Sequence, residues 1–168
     1  SHHAHNMALV WKMLAQAHGA AGEQAAATAA LERARVLALS ACAAAKDDRA
    51  ALYGLDVLVQ VLLLLDRASE ARTEFARCTA LLAVKPGAGG ELWCTLELAR
   101  ARIDVHDGCA GLQTVETLRV VEATSALGVD APFVDGVRQV LLRAQEQLGD
   151  CEQALALHKR STDWHDMQ

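Results

Sequence analysis

Aromatic residues are scarce: Phe, Trp and Tyr together fill 4% of 168 positions, and only two prolines occur. The aromatic and β-branched residues that favour strands are scattered rather than clustered, so no sheet is written here. With 52% hydrophobic residues the chain is also too apolar for disorder. Basic residues are outnumbered, 16 Lys+Arg against 21 Asp+Glu, for a net charge of −5 with no basic block. That excludes the usual nucleic-acid binder, which neutralises phosphates with Lys and Arg. The five cysteines (Cys42, Cys78, Cys94, Cys109 and Cys151) are odd in number and form no Cys-x-x-Cys pair. Neither a disulfide framework nor a tetrathiolate zinc site is encoded, and the expectation is reduced, mostly buried thiols of a cytoplasmic protein. The densest apolar run, residues 57–65, contains Gln60 and falls far short of the ~20 residues that span a bilayer, so no membrane segment is expected.

What is present in quantity is alanine, leucine, glutamate, arginine and glutamine, all strong helix formers. Apolar residues recur at helical spacing, as in Leu52, Leu55, Leu58, Val59, Leu62 and Leu65, and again in Leu112, Val115, Leu118 and Val121. Breaks fall at residues 19–22, 46–48, 66–67, 85–90, 106–108, 128–132 and 149–150. Seven breaks divide the chain into about eight antiparallel helices, an all-α fold. Residues 1–7, with three histidines, read as a tag remnant or a disordered start. The alanine-rich stretch 25–45 is interrupted by Leu31, Val36, Leu37 and Leu39, so it reads as a long helix packed closely on its neighbours rather than as low complexity.

The breaks also repeat. Gly22 to Ala27, Asp66 to Ala71 and Gly149 to Ala154 each run from a helix stop to an alanine five residues later, and His106 to Gly111 forms a third copy in chain order with glycine as the small residue. The small positions 27, 71, 111 and 154 are 44, 40 and 43 residues apart. Repeats of this kind bury a face by stacking. The pattern resembles the tetratricopeptide repeat family. Trp11, Leu14, Ala15, His18, Gly22, Ala27, Leu31 and Ala34 match its slots, and Leu55, Leu58, Val59, Leu62, Asp66, Ala71, Phe75 and Cys78 match them again. The third copy supplies Leu98, Ala99, Gly111, Val115 and Leu118, and the fourth Leu141, Leu142, Gly149, Ala154 and His158. The periods exceed the family's 34-residue unit. Heat and armadillo repeats have similar periods, but the recurring Gly/Asp turn followed by alanine favours the tetratricopeptide resemblance.

The resemblance implies about four helical hairpins in a right-handed superhelical array, a single domain over residues 8–168 with repeats near 8–45, 48–84, 90–127 and 131–166. Residues 148–160 also resemble the last repeat of bacterial signalling proteins, in which such an array precedes an output domain, often a GGDEF-type diguanylate cyclase. The final residues 161–168 carry no cap, as if a helix were cut before that domain.

No Gly-x-Gly-x-x-Gly, Walker loop, His-Glu-x-x-His or Gly-x-Ser-x-Gly occurs. Residues 87–90 are glycine-rich but follow Pro86 and lack a lysine, so an inter-repeat loop is expected, not a phosphate cradle. His106, Asp107, Gly108 and Cys109 read as a tight helix end. His158 and His165, seven apart, are too widely spaced for a zinc pair, and His18 reads as a packed histidine. Trp11 is assigned to packing. Tyr53, Asp56 and Gln60, set beside Lys12 and Gln16, Trp93, Arg100 and Asp104, and Gln139 and Arg143, form a stripe on the first helix of each pair, together with Leu9, Leu96 and Gln147. Its mixture of aromatics, amides and both charges suits a recognition groove.

The expectation is therefore a non-catalytic, cytoplasmic sensory or interaction module without cofactor or metal. It would bind a protein, peptide or small effector and regulate an attached output domain, with homodimerisation through the C-terminal helix. The alternatives are the ligand-binding domain of a transcriptional regulator and an all-α enzyme built on Arg100, Asp104 and His106.

Overall fold

The computed structural model describes residues 2–83, 90–125 and 131–149. Among these residues the chain is all-helical, with seven helices: α1 (His2–Ala20), α2 (Gln24–Ala43), α3 (Asp48–Leu64), α4 (Ala68–Thr79), α5 (Gly90–His106), α6 (Leu112–Ser125) and α7 (Ala131–Gln147). The expected eighth helix, the C-terminal dimerisation surface, Cys151, His158, His165, Trp164 and residues 86–89 lie outside the described residues. Residues 2–7, expected as a tag remnant or disordered start, belong instead to α1. Nothing in His-Ala-His-Asn-Met interrupts a helix, and the turn leads directly into Ala8, which is fully buried.

The helices fall into two layers. Successive odd-numbered helices pack on one another, α1 on α3, α3 on α5 and α5 on α7. Each even-numbered helix lies across two of them: α2 on α1 and α3, α4 on α3 and α5, α6 on α5 and α7. Alanine sets the separation at the N-terminal end, where Ala15, Ala27, Ala30, Ala34 and Ala38 are all buried. Gly54 does the same between α2 and α3, where a Cβ would lie 3.0 Å from Cys42 Sγ and 3.2 Å from the Cys42 amide nitrogen.

The centre of the first core cluster is α3, whose Leu52, Leu55, Leu58 and Leu62 are closed to solvent. Burying each such side chain stabilises the fold by about 1.5–3 kcal/mol. Asp47 starts this helix by accepting a 2.8 Å hydrogen bond from the Ala50 amide. The second cluster joins α5, α6 and α7 through Leu98, Val115, Leu118, Val121 and Val137.

Four of the helix ends share one geometry. Gly22 (φ 78°), Asp66 (φ 58°), Gly108 (φ 68°) and Gly149 (φ 79°) occupy the left-handed region just after α1, α3, α5 and α7. At the first three, the following amide donates to a carbonyl five residues back: Glu23 to His18 at 2.9 Å, Arg67 to Leu62 at 2.8 Å and Cys109 to Asp104 at 2.8 Å. This is the Schellman closure, which satisfies the last carbonyls of a helix. Asp66 tolerates the conformation because a short polar side chain pays less for it than a branched one.

The third repeat needs a correction. Its left-handed residue is Gly108, not His106, and α6 begins four residues later at Leu112, whereas α2 and α4 begin two residues after theirs. Gly111 consequently precedes α6 and does not act as the small helix residue. The position equivalent to Ala27 and Ala71, three residues into the helix, belongs to Val115, which is 1% exposed.

Candidate functional site

The repeated helix end places equivalent positions on neighbouring helices side by side. Gln16 on α1, Gln60 on α3, Arg102 on α5 and Arg143 on α7 each stand six residues before the left-handed residue of their own helix. All four line one cavity of about 750 Å³. Leu63 and Leu64 of α3 and Val105 and His106 of α5 complete one side. The facing wall is α7, through Pro132, Asp135, Gly136, Gln139, Val140, Glu146 and Gln147. The volume lies within the range of ligand pockets, and the lining combines apolar walls with a few charged and amide groups.

A chain of polar contacts ties three helices together at the inner side of this cavity. Lys12 of α1 donates to Gln60 Oε1 at 2.7 Å, and Gln60 Nε2 donates to Asp56 Oδ2 at 2.8 Å. Arg102 of α5 reaches the same carboxylate, its Nε standing 3.9 Å from Asp56 Oδ1. Burial lowers the pKa of the Lys12 ammonium, with Asp56 opposing that shift and Arg102 adding to it. The other end of Arg102 lies against α7, where a Cβ at Gly136 would meet its Nη2 at 3.3 Å. Gln147 is committed to the scaffold: it donates to the Val105 carbonyl at 2.6 Å and accepts from the Ala110 amide.

The sequence-derived stripe divides on this geometry. Gln16, Gln60, Gln139, Arg143 and Gln147 line the cavity, and Lys12 and Asp56 join it through Gln60. Tyr53 stands apart, donating to Glu91 and lying 6.0 Å from the His5 ring. The α5 members are placed differently from expectation. Trp93, 8% exposed, packs in the second core cluster, and Leu96 in the first. Arg100 sits 5.8 Å over the Phe75 ring of α4 and pairs with Glu97 at 3.2 Å. Asp104, its pKa raised by burial and lowered in part by Arg72 and Arg100, belongs to the same α4-facing side.

The cause of the misplacement is the register of the third repeat. Anchoring α5 on His106 rather than Gly108 shifts every position by two residues, about 200° around a helix. The α5 residues on the cavity side are Arg102, Val105 and His106. The recoverable signal was Gly108, the residue best suited to a left-handed helix end.

The enzyme alternative joined Arg100, Asp104 and His106, and these do not share one site: His106 lines the cavity, whereas the other two face α4. His106 lies 3.4 Å from both Asp66 Oδ1 and Asp107 Oδ1 at the helix end. Among the described residues no group of three or more His, Cys, Asp or Glu side chains is placed to hold a metal ion, and no helix is long and apolar enough to cross a membrane. Cys42, Cys78, Cys94 and Cys109 are free thiols, the last of them exposed. Comparison with protein-family models, curated proteins and solved structures finds no match to the chain.

Proposed function

We propose that this chain is a non-catalytic recognition module, a tetratricopeptide-like array whose odd-numbered helices line a concave groove. It binds a protein or peptide segment, or a small effector, there. The observation that carries this reading is the convergence of Gln16, Gln60, Arg102 and Arg143, four positions equivalent in the repeat, on one cavity. A stacked array presents equivalent positions along a continuous surface, which is how such scaffolds build binding grooves from one repeated residue slot. The amides and charges offered there can pair with polar groups of a bound chain or effector, while Leu63, Leu64 and Val105 cover apolar surface.

In this reading the protein is cytoplasmic, and the groove reports its occupancy to an attached output domain such as a diguanylate cyclase. That part rests on the resemblance of residues 148–160 to the last repeat of bacterial signalling arrays. The test is a titration of the protein with peptide and metabolite panels, read by calorimetry, using Gln60→Ala and Arg143→Ala as groove variants and Arg100→Ala as an off-groove control. Binding that is lost in the groove variants and kept in the control is the expected result. Binding indifferent to both groove variants refutes the groove.

A further inference from the structure

The first helix of the array exposes an apolar face that its counterparts bury. Val10, Met13 and Leu14 of α1 are 56%, 65% and 40% exposed, and Ala17 and Ala20 are exposed beside them. The spacing i, i+3, i+4 and i+7 from Val10 to Ala17 is that of a helix-packing face. These four residues stand twelve, nine, eight and five positions before Gly22, the left-handed residue after α1. Counted back from Asp66, the same positions on α3 are Gly54, Val57, Leu58 and Val61, all buried. Counted back from Gly108, they are Leu96, Ala99, Arg100 and Ile103 on α5, of which all but Arg100 are buried. On α3 this face receives the preceding hairpin, with Gly54 against Cys42 of α2. On α5 it joins Leu96, Ala99 and Ile103 to the cluster centred on α3, not to the one shared with α6 and α7. In α1 the equivalent surface is open. The end repeat of a stacked array stays soluble by turning a polar face outward, and here the outward face is apolar.

We infer that this face pairs with the same face of a second copy of the chain, α1 against α1, about a two-fold axis centred near Met13 and Leu14. Charge favours that occupant. Between Val10 and Ala20 the only Lys, Arg, Asp or Glu is Lys12, which turns away from the face to donate to Gln60. Two copies of a protein of net charge −5 repel over most of their surfaces, and at an uncharged face they meet without setting like charges opposite one another. Shape favours it as well, since Ala17 and Ala20 let two helices approach while Val10, Met13 and Leu14 fill the space between them. In a two-fold pair each copy supplies this patch to the other, so no second complementary surface is required and the association closes at two. One helix face is a small interface, which places the pairing in the micromolar range. The pairing is distinct from the one expected through the C-terminal helix, and it does not depend on what the cavity binds.

The test is sedimentation equilibrium of the full chain over about 1–200 µM, with the average mass rising from one chain toward two as concentration increases. Met13→Glu sets two carboxylates near the axis and should weaken the pairing about tenfold or more, with the helical circular dichroism unchanged because the position is exposed. Ala17→Glu, on the same face, should do the same. Leu81→Glu, at a position 80% exposed beyond α4, should leave the pairing intact, which separates this face from apolar exposure in general. Mixing the Met13→Glu and Met13→Lys variants should restore a dimer, since the two-fold axis sets the two positions side by side. A native chain that stays monomeric throughout the range overturns the inference and leaves the face to a different partner. A dimer indifferent to both Met13→Glu and Ala17→Glu overturns it too, as does a dimer lost in Met13→Glu that the mixture does not restore.

Discussion

Replacing Gly54 by alanine measures how closely α2 and α3 must approach. The new Cβ lies 3.0 Å from Cys42 Sγ and 3.2 Å from the Cys42 amide nitrogen. The thiol can turn aside, but the amide can retreat only if α2 moves as a body, and α2 is wedged between α1 and α3. In a helix interior, Gly→Ala alone stabilises by about 0.5–1 kcal/mol, while forcing a methyl into a filled core costs about 1–3 kcal/mol. The net expectation is a loss of about 0.5–2 kcal/mol. Gly19 in α1 is the control, because a Cβ there meets nothing within 4 Å. Gly19→Ala should therefore be neutral or stabilising, and the difference between the two variants isolates the packing cost. Adding Cys42→Ala to Gly54→Ala removes the sulfur contact but not the amide contact, so it should recover only part of the loss. Urea denaturation, with midpoint and slope both fitted, reads all four proteins. A Gly54→Ala protein as stable as Gly19→Ala would refute the close-approach argument.

Three further outcomes follow from particular side chains. Trp93→Ala should cost about 3–5 kcal/mol in urea denaturation, since Trp93 is a core residue of the α5–α7 cluster; an unchanged midpoint would return it to the surface. Burial pushes the Cys42 thiol up to about 12 and raises Cys78 and Cys94, so at pH 8 iodoacetamide should label exposed Cys109 well before these three, as mapped by mass spectrometry of the native protein. Burial also raises the Glu97 carboxyl, against the pull of Arg100. A raised folded pKa means that the folded state holds this proton more tightly than the unfolded state, so stability from this group is present below the usual carboxylate range and is lost as pH rises through it. Glu97→Gln should then melt at a higher temperature than the native protein at pH 7, with the gap closing toward pH 4; a gap that widens on acidification contradicts the sign.

Much of the architecture was legible residue by residue. The helix-forming composition and the spacing of Leu52, Leu55, Leu58 and Leu62 predicted α3 and its buried face, because a 3.6-residue period is a local property of the chain. Gly22, Asp66 and Gly149 marked helix ends because the left-handed conformation strongly restricts which residues can occupy it. Counted back from those anchors, Gln16, Gln60 and Arg143 line one cavity.

On α5 the same reasoning pointed the wrong way. Trp93 and Arg100 satisfy a plausible surface stripe in one dimension, and two extra residues between Gly108 and α6 do not alter the local helical pattern on either side. They do displace the apparent helix end from Gly108 to His106, and two residues correspond to about 200° around a helix. Composition and periodicity thus determined that the described residues are helical, where several helices end and which face α3 buries. Only the packing of α5 between α3 and α7 decided that Arg102, rather than Arg100, meets Asp56 and the cavity, since a register is settled by neighbours that lie far away in the chain.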